Sequence, residues 1–262
     1  MQPDSSDKPD SRETPITIRD LHGLQDYQAV VDLERAIWGY TDSGDLVTVP
    51  VFIITVKRGG ILIGAFDAGE RMVGFAFSIV GLKEGRATQW SHMMGVVPEH
   101  RRTGLGRRLK LAQRDRAIAA GFDLMEWTFD PLQALNAHLN FARLGVICDE
   151  YVENLYGEST SALHRGTPTD RFVVQWRLNE PHVERRIAAR APFSVRAHEA
   201  ADAPTVNEVV GAEKWRTTRP GDLSIEARRL WVGVPMEFTE MQQETPDLAL
   251  EWRMRTREIF QT

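Results

Sequence analysis

The stretch that most constrains this chain runs from Gln89 to Gly121. It reads as an extended run (QWSHMMGVV), a proline, a basic turn with two glycines (EHRRTGLG) and a helix (RRLKLAQRDRAIAAG). The turn has the pattern R-x-x-G-x-G over Arg101, Arg102, Thr103, Gly104, Leu105 and Gly106. Glycine lets a backbone approach a ligand with no side chain in the way. The first N–H groups of a helix have no internal partner, and the helix dipole there favours negative charge. A strand that ends in such a turn makes a cradle for a pyrophosphate. Arg107, Arg108 and Lys110 add positive charge to that of Arg101 and Arg102. The competing reading is a glycine turn that caps an ordinary surface helix.

Two kinds of phosphate binder are excluded. A nucleoside-triphosphate P-loop needs Gly-Lys-Ser/Thr, and a dinucleotide fingerprint needs G-x-G-x-x-G early in a βαβ unit. Neither is present. The run V-P-E-H-R-R-T-G-L-G-R-R-L, with a strand before it and a helix after it, instead resembles the acyl-CoA-binding motif of the GNAT superfamily of N-acyltransferases. The resemblance implies an α/β (α+β) GNAT fold. This is a mixed, mostly antiparallel sheet flanked by helices, with central strands splayed to admit acyl-CoA.

The rest of the chain fits that order. Residues 1–14 are rich in Asp, Ser and Pro and read as a disordered tail. Strands are expected at Ile16–Arg19, Ile61–Asp67, Met72–Val80, Thr88–Val97, Phe122–Phe129, Tyr151–Tyr156 and Phe172–Leu178. Helices are expected at Leu24–Trp38, Pro50–Lys57, after the turn, and at Gln133–Leu144. In the helix after the turn, Leu105, Leu109, Ala112 and Ala119 share one face, which Arg116 interrupts. The resemblance covers residues 15–178. Residues 179–262 form a carboxyl-terminal extension expected to pack on the core. It has a charged helix at Glu180–Ala191, a strand at Leu230–Val234 and a last helix with Thr245 as N-cap and Pro246 at N1. Relatives with a similar carboxyl region continue into a further strand, so the resemblance implies a truncated or frayed end here.

Bulk numbers narrow the function. The net charge of −5 speaks against a general nucleic-acid binder, which is basic overall. The basic turn is therefore local and suited to a small anion. The single cysteine, Cys148, cannot form an intrachain disulfide and suits a reducing, cytoplasmic setting. It lies in no activating motif and reads as a partly buried, inert thiol. No run is long and apolar enough for a membrane span, and no metal-ligand spacing appears among the 262 residues.

Acyl transfer from a thioester to an amine needs a polarised carbonyl, a base, a proton for the leaving thiolate and an aligned acceptor. The resemblance implies that backbone groups of Val96 and Val97 meet the pantetheine arm. It also implies that the N–H groups from Arg102 through Thr103, Gly104, Leu105 and Gly106 to Arg107 hold the pyrophosphate, with Arg101 beside them. Asn136, Asn140 and Arg143 are spaced to share one helix face, and Asn136 is the favoured contact to the arm. Many GNAT enzymes carry a tyrosine where this chain has Phe141, which has no proton to give. Tyr156 is the substitute acid, ahead of Tyr151. His92 is the expected base because imidazole titrates near neutral pH, with Glu126 and Asp130 as alternatives. Arg165 or Arg171 could clamp an acceptor carboxylate.

The expected activity is acyl transfer from acetyl-CoA or succinyl-CoA to a small-molecule amine, in a ternary complex and without a metal. A segment resembling a GNAT subgroup of amino-acid metabolism makes an amino acid a candidate acceptor. A homodimer stays open, whereas nucleic acid and membrane are not expected partners. The alternative is a GNAT-fold module that binds acyl-CoA and regulates a partner without catalysis.

Overall fold

Ile61 to Phe66 forms a strand whose six residues are all buried. A strand buried on both faces needs cover on both, and helices supply it. The structure is a computed structural model that describes residues 15–40, 43–157, 166–194, 202–211 and 214–262. In chain order its first half has β1 (Thr17–Asp20), α1 (Gly23–Trp38), α2 (Val49–Lys57), β2 (Ile61–Phe66), β3 (Met72–Lys83), β4 (Arg86–Val96), α3 (Leu105–Ala119) and β5 (Leu124–Phe129). A four-residue helix, α4 (Ala134–Ala137), continues as a π-helix over His138–Leu144. Then come β6 (Ile147–Val152), β7 (Arg171–Arg177) and α5 (Pro181–Ala188). The two-residue strands β8 (Val209–Val210) and β9 (Thr217–Thr218) pair with each other. The helices α6 (Phe238–Glu244) and α7 (Pro246–Gln261) follow.

The main sheet has seven strands in the order β1-β2-β3-β4-β5-β7-β6. Every neighbouring pair is antiparallel except β4 with β5. That pair is held by Gln89↔Met125 and Trp90↔Glu126 alone, after which β4 continues to Val96 and β5 to Phe129. The two strands therefore form a fork that is closed at Trp90 and Glu126. Strand alternation sends Phe75 and Phe77 to one face, where they meet Trp38 of α1 and Phe52 of α2. Gly74 faces the other way. A Cβ there would stand 3.2 Å from Leu109 of α3, so its lack of a side chain lets α3 close on the sheet.

Phe77 and Ser78 of β3 face Met93 and Ser91 of β4, so His92 is the extra residue of a β-bulge. A bulge bends its strand and re-aims the side chain it carries. The bulge sits two residues past the last β4–β5 pair, at the fork.

Several sequence expectations need correction. The strand expected at Tyr151–Tyr156 is β6, which starts at Ile147 and ends at Val152. Asn154 has φ +41°, its N–H bonds Asp170 Oδ1, and the chain turns there, leaving Tyr156 outside the sheet. Leu230–Val234 is no strand: Trp231 makes one isolated bridge to Thr205. Proline at 235 removes the donor that would have continued a ladder there. On α3 the buried face is Leu105, Leu109, Lys110, Gln113 and Ala117, with Ala119 exposed. Arg116 turns to the rim and pairs with Asp20. Thr245 precedes the last helix, but its hydroxyl donates back to Met241 O instead of capping.

The extension reaches the main core through Val183 of α5, which is fully buried. Leu132, Phe238, Met241, Ala249 and Trp252 form a second apolar cluster that joins α6 and α7 to the loop after β5. Two ion pairs sit beside it. Arg253 Nη2 donates to Asp130 Oδ2 at 2.5 Å, with side chains 1% and 4% exposed. Arg257 grips Asp170 through Nε at 2.9 Å and Nη2 at 2.7 Å.

Candidate active site

Thr88, Trp90 and His92 alternate along β4 onto the face that carries α2, and together they line a cavity of about 510 Å³. Lys83 enters from β3, Glu126 from β5, Glu150 from β6 and Tyr156 from the turn after β6. Of the residues expected to act as acids or bases, His92, Glu126 and Tyr156 line this one cavity, and Asp130 and Tyr151 do not.

The His92 ring stands edge-on to Phe77, with centroids 6.1 Å apart. One side of the imidazole reaches solvent, but the atoms packed round it penalise its charged form. Its pKa is therefore held below the ordinary imidazole value. A histidine so placed is neutral, and free to accept a proton, at neutral pH. Glu126 is buried and accepts a 2.7 Å hydrogen bond from Lys83 Nζ. That bond, and the pair's Coulomb attraction, raise the lysine's pKa. The lysine claims one carboxylate oxygen of Glu126, which makes Glu126 the less available base.

Tyr156 is about half exposed. Its hydroxyl lies 2.9 Å from Thr128 Oγ1, two residues beyond Glu126 on the same face of β5. Its N–H donates to Thr169 Oγ1, and the Arg171 guanidinium lies 5.3 Å from its ring centroid. Tyr151 is differently placed. It donates to Asp170 Oδ2 at 2.5 Å, and burial followed by that carboxylate raises its pKa well above the ordinary phenol value. Asp130 is committed to Arg253 and is 3% exposed, so it is not open to an incoming amine. Phe141 packs edge-on to Phe129 and Phe172, as part of an aromatic cluster. Cys148 is half-buried, and burial raises its thiol's pKa, as expected for an inert cysteine. Arg165 lies outside the described residues.

The turn at the open end of the fork has two left-handed residues, Arg102 at φ +64° and Gly104 at φ +84°. Gly104 is the N-cap of α3, and a Cβ built on it would find no atom within 4 Å. The space above the helix N-terminus is open where a phosphate would sit. Thr103 Oγ1 donates to His100 O at 2.8 Å, and Arg101 Nε donates to Val96 O at 3.1 Å. These bonds fix the turn against the end of β4. A Cβ built on Gly106 would meet Met94 at 3.6 Å and Leu139 at 4.0 Å, ordinary contact distances. Val97 N–H is already used by Val73 O, which limits the backbone Val97 can offer to an arm.

Arg107 Nη2 donates to Ile187 O at 2.5 Å, and Arg143 Nη1 donates to Arg190 O at 3.0 Å. Burial, and then the like charge of Arg143, pull the Arg107 pKa below the guanidinium norm. Among the described residues, no carboxylate lies within ion-pair distance of Arg101, Arg107 or Arg143. Arg102 is paired with Glu237 at 3.4 Å, on the exposed rim, so the mouth keeps these three cations without a carboxylate partner, which suits a polyphosphate. The expected common face of Asn136, Asn140 and Arg143 does not form. The π-turns rotate Asn140 inward to 4% exposure, while Asn136 stays exposed.

Sequence reasoning missed Lys83, Thr128 and the buried position of Lys110. Lys110 had a signal: it follows Leu109 and shares helical spacing with Gln113 and Ala117.

No family model matches the chain, and no curated protein matches it in sequence. Solved structures match it in fold. The NatC complex bound to Gag peptide and CoA matches with a TM-score of 0.50 and 13% identity, over 62% of this chain and 98% of that one. The ribosomal-protein-S18-alanine N-acetyltransferase from Escherichia coli matches with a TM-score of 0.48 and 19% identity, over 63% and 96%. The acetyltransferase-like yncA of Salmonella typhimurium, solved with acetyl-CoA, matches with a TM-score of 0.49 and 20% identity, over 69% and 99%. With its forked β4–β5 pair, bulged fourth strand and glycine turn, the chain has the GNAT fold.

Proposed function

We propose that this chain is a coenzyme A-dependent N-acyltransferase. It moves an acetyl or succinyl group to the amine of a small molecule, with an amino acid as candidate acceptor. The observation that carries this reading is a single one. A phosphate-type turn stands at the open end of a strand fork, and a neutral histidine, a carboxylate and a tyrosine share the cavity beside the fork's closed end. The same fold carries CoA in the NatC complex.

In this reading the backbone N–H groups from Thr103 to Arg107, with Arg101, Arg102 and Arg107, hold the phosphates. The edge of β4 near Val96 is left unpaired by the fork and offers hydrogen bonds to the pantetheine arm, and the exposed Asn136 is a further contact to it. His92 takes a proton from the incoming ammonium, directly or through one water. The freed amine attacks the thioester carbonyl, the new C–N bond forms, the nitrogen gives its second proton to water, and the C–S bond breaks. Tyr156 gives its proton to the leaving thiolate and regains one from solvent through its exposed side. Glu126, held by Lys83, is the second basic group of the cavity. Arg171, beside Tyr156, faces the acceptor carboxylate. No covalent enzyme intermediate is needed, since Cys148 has none of the surroundings that activate a thiol.

The test is release of free thiol from acetyl-CoA and succinyl-CoA over a panel of amino acids and other primary amines. Turnover with any amine supports the enzyme reading. Tight coenzyme A binding with no turnover across the panel would overturn it and favour a regulatory acyl-CoA-binding module.

A further inference from the structure

Lys110 lies on the buried face of α3 and is 3% exposed. Its Nζ donates to Ser91 Oγ at 2.7 Å and stands 3.7 Å from the centroid of the Trp127 ring. Ser91 Oγ donates onward to Gln113 Oε1 at 2.9 Å. Gln113 Nε2 is buried and has no partner. Among the described residues, no carboxylate lies within ion-pair distance of Lys110. An ammonium has three donors, and one is used here. A hydroxyl and an indole face are neutral, so this cation is buried without a counter-charge, which is unfavourable unless something supplies one. Burial alone draws its pKa down to about 7.

The position explains what could supply it. Ser91 and Trp127 are the first residues of β4 and β5 beyond their last pair, Trp90↔Glu126. Lys110 therefore stands at the closed end of the fork, and the glycine turn stands at the open end. A coenzyme whose phosphates sit on the turn and whose arm follows β4 enters the fork with its acyl group leading.

We propose that Lys110 is the acyl-specificity residue and that the donor carries a dicarboxylic acyl group, whose terminal carboxylate is received by Lys110 Nζ. Gln113 Nε2 is the second donor to that carboxylate. An acetyl group ends in a methyl and leaves Lys110 without a counter-charge and Gln113 Nε2 without an acceptor. The inference rests on the coenzyme reading above and adds the chemistry of the acyl tail to it.

Calorimetric titration of acetyl-CoA, succinyl-CoA and free coenzyme A into wild type and Lys110→Met tests it. Wild type should bind succinyl-CoA roughly ten-fold or more tightly than acetyl-CoA, as a charge-assisted hydrogen bond implies. In Lys110→Met that ratio should fall to about one. A wild-type ratio near one would overturn the proposal, and this arm does not depend on how the variant folds. An equal loss with both donors would also overturn it, because it marks a structural or proton-transfer role. If coenzyme A binds and only the preference is missing, this inference alone fails. If coenzyme A does not bind at all, the coenzyme reading fails with it.

Discussion

His92 is where the chemistry of the proposed site concentrates, because it is both the bulged residue of β4 and a half-desolvated imidazole. A general base must be neutral to act. As pH falls through its depressed pKa the histidine takes up a proton, so kcat/KM should fall on a limb centred below the imidazole value of about 6.5. His92→Ala should remove that limb and lower the rate by roughly 10²- to 10⁴-fold. A pH–rate profile unchanged in the variant would pass the role to Glu126. Lys110 makes a second prediction at this scale. Its charged form is disfavoured in the folded protein, so its contribution to stability rises with pH from about 7 to the unfolded lysine value. Lys110→Met should therefore raise the melting temperature at pH 7 and leave it little changed near pH 10.5, measured without ligand. A lower melting temperature at pH 7 would show that the methionine does not fit.

At the scale of elements, the fork and the turn do the positioning. Gly104 holds φ +84°, a region that costs other residues about 1–2 kcal/mol. Gly104→Glu adds a negative charge at the mouth of the cradle, where the space is open. Acyl-CoA binding should be lost while helix content by circular dichroism is kept. Micromolar binding in that variant would refute the assignment of the turn. The turn, the strand before it and the helix after it were legible in the sequence because glycine spacing and amphipathic period are local signals. The fork was expected only through a resemblance, since strand pairing is not local. The bulge at His92 was not legible, because one extra residue leaves the alternation of QWSHMMGVV unbroken to the eye. The π-helix escaped for a similar reason. His138 to Leu144 reads as ordinary helix, and the wider i→i+5 turn shows only in the structure, where Gly145 N–H bonds Asn140 O. The start of β6 was not legible either, because Asp149 and Glu150 are polar; both are exposed on this edge strand, which permits them there.

Across the whole molecule, the carboxyl-terminal helices are tied to the ends of β5 and β7, next to the site. Asp130 and Arg253 form a buried pair, and Asp170 is shared by Arg257, Tyr151 and the Asn154 N–H. Burial alone would raise the Asp170 pKa, but Arg257, Tyr151 and Asn154 outweigh it and hold it below the ordinary carboxylate range. Stability from this carboxylate is present above the unfolded value of about 3.9 and is lost as pH falls through the folded one. Asp130→Asn leaves Arg253 buried without a counter-charge and should cost about 3–5 kcal/mol by urea unfolding. Adding Arg253→Met should recover much of that loss, since an apolar pair replaces the ions at little cost. Additive losses in the double variant would contradict the pairing. These links were invisible in the sequence, because Asp130 and Arg253 are 123 residues apart and nothing local to either points to the other.

The central claim is that the glycine turn and the fork hold coenzyme A. Titration of free coenzyme A into the wild-type protein, followed by heat, tests it most directly. The account predicts saturable one-to-one binding that weakens as salt rises, because the mouth is cationic and the phosphates are charged. No heat of binding at any coenzyme concentration, with the protein folded by circular dichroism, would contradict it.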